Sequence, residues 1–177
     1  MTPKLIEKVA DSNNIKISDA RIAVAVNDKN DWVENIIKYL SEDFKSVNIV
    51  TNNIRTFKAL EEKLFEESGM AITVTNNKRR SLLKDDIILN IDFPGEILNR
   101  YSINENSIII SIEENVKIHK KRFNGKVICD YKIRLKPNSQ ISEDLNKIPY
   151  KCFDLKDLVE CYIINAPNEI DNIIICK

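Results

Sequence analysis

Between residues 21 and 133, short apolar runs alternate with stretches whose apolar residues recur every three or four positions. Arg21-Ile-Ala-Val-Ala-Val26 reads as a strand and Asn27–Asp31 as the turn after it. Val33, Ile36, Ile37, Leu40 and Phe44 share one face of a helix predicted from about Trp32 to Phe44. Asp31 and Glu34 have the spacing of a capping box at its start. The alternation repeats with a strand at Val47–Thr51 and a helix carrying Phe57, Leu60 and Leu64. Gly69 closes that helix as a left-handed cap. A third strand follows at Ala71–Thr75, a short helix around Arg79–Leu83, and a fourth strand at Asp86–Ile91. Pro94-Gly95 turns the chain into a short helix holding Ile97 and Leu98, and a fifth strand runs from Ser107 to Ile112. A Lys-rich loop leads to a sixth strand at Lys126–Ile133.

Apolar strands that lack polar alternation are buried on both faces, and helices between them serve as crossovers. This pattern predicts an α/β fold, a doubly wound, mostly parallel Rossmann-like sheet of about six strands with flanking helices. The last two connections are short of helix, which leaves room for a late antiparallel strand. Ahead of the sheet, Leu5, Ile6 and Val9 form the stripe of a short helix that Asp11-Ser-Asn-Asn14 breaks. After Pro137 the pattern is less regular. Phe153, Leu155, Leu158, Val159 and Tyr162 suggest a helix from about Asp154, and Ile173–Cys176 reads as an edge strand or the end of a docking helix. The expected organisation is residues 1–20 as helix and linker, 21–136 as the sheet domain, and 137–177 as an extension packed on that domain.

Composition narrows the function classes. The 177 residues carry 27 basic and 27 acidic side chains, so net charge gives no general pull towards nucleic acid or an anionic membrane. No apolar run nears the ~18 residues of a membrane span, and the segment after Met1 is amphipathic, not a secretory leader. Cys129, Cys152, Cys161 and Cys176 form no close pair, and His119 is the only histidine, so a metal site is not expected. Free thiols in a reducing cytoplasm fit this pattern.

The first strand, turn and helix have the form of a phosphate-binding unit, whose turn would read G-x-G-x-x-G so that backbone can approach a diphosphate. Asn27-Asp-Lys-Asn-Asp31 holds no glycine and two aspartates. After the second strand, Asn53-Ile-Arg-Thr56 places a guanidinium and a hydroxyl where a nucleotide 2′-phosphate is accommodated. Here the sequence resembles the cofactor domain of shikimate dehydrogenases and the related domain of glutamyl-tRNA reductases, whose second strand ends in Asn-Arg-Thr. Asp86-Ile-Ile-Leu-Asn-Ile-Asp-Phe-Pro94 resembles the family's segment near the nicotinamide. The resemblance covers roughly residues 20–135. It implies NADP as cofactor, with Asn27, Asn53, Arg55, Thr56, Asn90 and Asp92 beside it. Only about twenty residues precede Arg21, too few for the family's substrate domain.

Local readings compete at each of these positions. Asn53, Arg55 and Thr56 also suit an ordinary helix start, and Asp92 a turn before Pro94. Lys117–Arg122, with Lys126 and Lys78-Arg79-Arg80, could form a patch for a polyanion, but aromatic interleaving is limited to Phe123. His119 reads as a surface residue, and Asp85-Asp86 and Glu113-Glu114 as solvated ends of elements. The expectation is a Rossmann-like protein with weakened or lost dinucleotide binding. It would be non-catalytic on its own, with a regulatory, scaffold or partner role, as a homodimer or with another protein. The alternative is an NADP-dependent oxidoreductase whose substrate site is completed by a partner or second subunit. Membrane and nucleic-acid partners are not expected.

Overall fold

The computed structural model describes residues 2–112, 115–135 and 170–175. The chain divides into two compact units, one formed by Ala10–Cys129 and the other by Met1–Val9 with Asp130–Lys177.

In the larger unit, six strands form one all-parallel sheet: β1 (Arg21–Ala25), β2 (Ser46–Val50), β3 (Ile72–Thr75), β4 (Ile87–Asn90), β5 (Ile108–Ser111) and β6 (Lys126–Ile128). Their spatial order is β3-β2-β1-β4-β5-β6, so the sequence reverses direction between β1 and β4. This is a Rossmann-like α/β fold, and that reversal opens a crevice at the carboxyl ends of β1 and β4.

Helix α1 (Thr2–Ser12) precedes the sheet; it ends where the Asp11–Asn14 breaker was expected, with Asn14 in the left-handed region at φ 55°. Helix α2 (Asp31–Asp43) connects β1 to β2 and buries Val33, Ile36, Ile37 and Leu40. Helix α3 (Ile54–Ser68) connects β2 to β3, buries Phe57, Leu60 and Leu64, and ends on Gly69 at φ 68°. Right-handed crossovers put both helices on the same face of the sheet. The one-turn helix α4 (Gly95–Leu98) serves the opposite face.

That opposite face is covered unevenly. Ala23, Ala25, Ile88 and Ile109 pack there with Leu82, Phe93, Leu98, Tyr101 and Val116. This cluster covers the β1–β4–β5 part. Towards the other edge, the residues in register on this face are Asn48 of β2 and Thr73 of β3, then Val50 and Thr75. Thr73 is exposed and Thr75 half-buried, whereas Ile72 and Val74 on the reverse side are buried. The expectation that these strands are buried on both faces fails for β3, because nothing helical follows it. Residues 76–86 form no helix. The carbonyl of Asn77 accepts from the N–H groups of Arg80 and Ser81, giving one turn. The chain then extends, with Leu82 bridging to Ile103.

The predicted sixth strand is divided. Lys126–Ile128 adds to the parallel sheet, and Gly125 lets the chain approach it, since a Cβ there would lie 2.0 Å from the Ser107 carbonyl oxygen. Beyond Cys129, β7 (Tyr131–Leu135) belongs to the smaller unit and pairs antiparallel with β8 (Ile170–Ile175). The carboxyl-terminal apolar run is therefore a strand. The helix expected from Asp154 lies outside the described residues.

Leu82 and Leu83 separate the packing of this connection from its surface. Leu82 is fully buried and Leu83 is 46% exposed. Leu82→Ala should cost about 2–5 kcal/mol and Leu83→Ala no more than about 0.5 kcal/mol, as read by urea unfolding. Equal losses would mean that the non-helical connection is not packed as described.

Candidate functional site

The crevice at the carboxyl ends of β1 and β4 is where doubly wound folds bind dinucleotides, and three of the six candidate residues, Asn27, Asn90 and Asp92, converge on it. After β4, Asn90 is 1% exposed and all of its polar capacity faces inward. Its Nδ2 donates to the Phe93 carbonyl at 2.9 Å and to Ser111 Oγ at 3.0 Å, and its Oδ1 accepts from the Phe93 N–H at 3.1 Å. The tight turn so formed aims Asp92 across the crevice at the end of β1. There the Asn27 N–H donates to both carboxylate oxygens of Asp92 at 2.8 Å, and the Asp28 N–H donates to Oδ2 at 2.8 Å. Asn27 passes the connection on, its Oδ1 accepting from the Asn52 N–H at 2.9 Å at the end of β2.

The first two amides of the β1–α2 turn are thus already bound to the protein's own carboxylate. One donor of the α2 N-terminus is capped as well. Its cap is Asn30, whose Oδ1 accepts from the Val33 N–H at 2.9 Å. The capping box expected from Asp31 and Glu34 does not form. Asp31 is the first residue inside the helix, and Glu34 instead pairs with Lys63 at 2.5 Å and Lys29 at 3.3 Å. The Lys63 ammonium holds the Glu34 carboxyl below its ordinary range.

At the start of α3, Thr56 Oγ1 donates to Asn53 Oδ1 at 2.8 Å, and the Asn53 N–H donates to Thr51 Oγ1 at 3.0 Å. Arg55 is exposed on the same turn. These residues stand together, and two of the three side chains are engaged in a local helix-start network.

The basic segments also come together. The Lys78 carbonyl accepts from the Ser102 N–H at 2.7 Å, the Lys117 carbonyl accepts from Asn99 Nδ2 at 2.7 Å, and the His119 N–H donates to Asn99 Oδ1 at 2.8 Å. Both segments are therefore tied to the Asn99–Ser102 turn. His119 is exposed. Cys129 is a free thiol that donates to the Val116 carbonyl. Among the described residues no group of His, Cys, Asp or Glu could hold a metal ion, and no helix is long and apolar enough to cross a membrane.

Asp85 was expected to be a solvated end of an element, and the structure corrects this. It is 4% exposed, at the entry to β4, and its Oδ2 has no hydrogen-bond partner. Burial pushes its carboxyl up to about 6; the Asn48 side chain and Arg21 oppose the shift, and Asp86 adds to it. The Asn48 Nδ2 donates to the Ser81 carbonyl at 2.6 Å, and its buried Oδ1 has no partner. One sequence signal marked this spot: Asn48 interrupts an otherwise apolar strand.

No family profile matches the sequence, and no curated protein does. Among solved structures the chain is similar to glutamyl-tRNA reductase from Methanopyrus kandleri, at 12% identity and a TM-score of 0.46. The match covers 68% of this chain and 33% of the reductase, so the chain spans about a third of that protein's length. The fold assignment rests on strand order and parallel pairing.

The position of Asp85 makes stability depend on pH in a defined direction. Its carboxyl titrates near 6 in the folded chain, against an ordinary value of 3.8. The folded state therefore holds the proton more tightly, and its contribution is complete below about pH 4 and lost as pH rises through about 6. Asp85→Asn should leave stability nearly unchanged at about pH 4 and raise it by about 2–3 kcal/mol at about pH 8. Urea unfolding at the two pH values reads the difference; the same effect at both would show that Asp85 is not buried as a charge.

Proposed function

We propose that the larger unit is a Rossmann-like domain related to NADP-binding oxidoreductase domains in which dinucleotide binding is lost or strongly weakened. On this reading the chain alone is not a catalyst and serves a regulatory, scaffold or partner role, with a second copy or another protein as the partner. The observation that carries the reading is the Asp92 carboxylate on the Asn27 and Asp28 amides. A diphosphate needs those donors and must displace Asp92 to reach them. Hydrogen bonds to a charged group contribute about 1.5–3 kcal/mol each, so displacement costs several kcal/mol before any contact forms. The displaced carboxylate would then sit beside the incoming phosphates, with Asp28 and Asp31 on the same turn. The turn has no glycine, so side chains also hold the backbone back. The residues at this corner do not fit a dinucleotide diphosphate.

The second reading, an oxidoreductase of the shikimate-dehydrogenase-like type completed by a partner, draws support from Arg55. This guanidinium is exposed on the first turn of α3, where a 2′-phosphate would lie.

Calorimetry with NADPH separates the two. The expected result is no saturable binding attributable to the crevice at about 1 mM cofactor, a level at which even a weak site of ~4 kcal/mol is half filled. Micromolar binding that disappears in Arg55→Ala would overturn the proposal and establish the second reading.

A further inference from the structure

The uncovered part of the sheet forms a cavity of about 490 Å³. Arg21 at the start of β1, Lys45 before β2, and Arg80 and Lys84 on the non-helical connection border it, with Asn48 and Asp85 at its inner wall. Among the described residues none of these four cations forms an ion pair. Asp85 is the only acid in the lining. Burial favours its neutral form, and Asp86 beside it works in the same direction, while Arg21 opposes. The cavity therefore carries an unbalanced positive charge.

The cavity has the volume of a small-molecule site, for which about 300–1,000 Å³ is usual. Its polar floor is a consequence of topology. A helix between β3 and β4 would cover this face, and Asn48, Thr73 and Thr75 would then face an apolar helix. Because residues 76–86 cross without a helix, Thr73 stays exposed, while Asn48 and Thr75 bond to the connection itself through the Ser81 carbonyl and the Asn77 N–H. Guanidinium, ammonium, hydroxyl and amide donors together suit phosphate oxygens, which accept several hydrogen bonds at once. The buried Asn48 Oδ1 and Asp85 Oδ2, both without partners, are a second and independent mark. Buried acceptors are nearly always satisfied in folded proteins, and with Asp85 ionised a donor on a ligand would satisfy both oxygens.

We propose that this cavity binds a phosphorylated small molecule with two or more negative charges and an N–H or O–H donor, of the nucleoside diphosphate class. The site lies towards the amino ends of β1 and β2, away from Asn27 and Asp92, and does not depend on whether the carboxyl-edge crevice binds NADP.

Titration calorimetry of the full chain at low salt, with inorganic pyrophosphate and with ADP as probes, tests this. Both should bind saturably, ADP more tightly because its amino and hydroxyl groups bring further donors to the inner wall. Arg80→Ala/Lys84→Ala should weaken both by about tenfold or more, as expected from removing charge-assisted contacts, and Lys45→Ala should weaken both less. All three side chains are exposed, so these variants keep the core intact. Lys121→Ala/Arg122→Ala, on basic residues outside the cavity, should bind as the parent does. The absence of saturation with either probe at about 5 mM overturns the proposal. An equal loss in the Lys121/Arg122 pair overturns it too, because binding would then be general attraction to surface charge. Binding abolished by Arg55→Ala but not by Arg80→Ala/Lys84→Ala places the ligand in the crevice. That result overturns both this proposal and the loss of dinucleotide binding, whereas loss confined to Arg80→Ala/Lys84→Ala leaves the earlier reading standing.

Discussion

A strand that ends at the reversal of a parallel sheet leaves backbone N–H groups facing a crevice, and those groups need acceptors. In this chain the acceptor is internal. Asp92 receives the amides of Asn27 and Asp28, Asn90 sets the turn that aims it, and Asn27 hands its own carbonyl to Asn52. The ends of β1, β2 and β4 are joined through one carboxylate and two amide side chains. An anion that arrives by diffusion loses the entropy of association, whereas a carboxylate on the same folded chain does not. The crevice that the fold would offer to a ligand is instead part of what holds the strands together.

A second consequence follows from the connection after β3. Parallel sheets ordinarily bury both faces because crossovers are helical. Here the crossover is one turn followed by an extended segment, and its apolar contribution is Leu82, which joins Tyr101, Phe93 and Leu98 over β1, β4 and β5. Val50 of β2 joins that cluster, and the part of the face formed by Asn48, Thr73 and Thr75 stays polar. Asp85, at the entry to β4, is buried at its border without a full set of hydrogen bonds, and charge there is costly.

Much of the fold was legible because the hydrophobic spacing is strong. The stripe Val33, Ile36, Ile37, Leu40 gave α2, and Phe57, Leu60, Leu64 with Gly69 gave α3 and its end. The apolar runs at Ile22–Val26, Ile87–Leu89 and Ile108–Ile110 gave β1, β4 and β5. The misses fall where local signals are weak or compete. Arg79–Leu83 has helical composition, but its first turn is closed by Asn77 and Leu82 is drawn into the core, so no helix propagates. Lys126–Ile133 is apolar at most positions, and the break at Cys129-Asp130 carries no Gly or Pro to mark a turn. Asn30 and Asp31 are both good caps, and the hydrogen bond to the Val33 N–H decided for Asn30.

The candidate residues were legible as a set but not in their roles. The family resemblance singled out Asn90, Asp92, Asn27 and Asn53, and the strand pattern puts them at the carboxyl edge, because the ends of parallel strands must meet there. The absence of glycine from the turn was visible in the sequence and is a property of the residues themselves. That Asp92 faces the turn amides, 64 and 65 residues away in the chain, depended on the register of β4 against β1. The cavity of Arg21, Lys45, Arg80 and Lys84 likewise exists only after β1, β2 and the β3–β4 connection are brought side by side. Periodicity fixes which face of an element is apolar, since that is a local property. Which polar groups meet across elements is fixed by strand order and register, which no local pattern encodes.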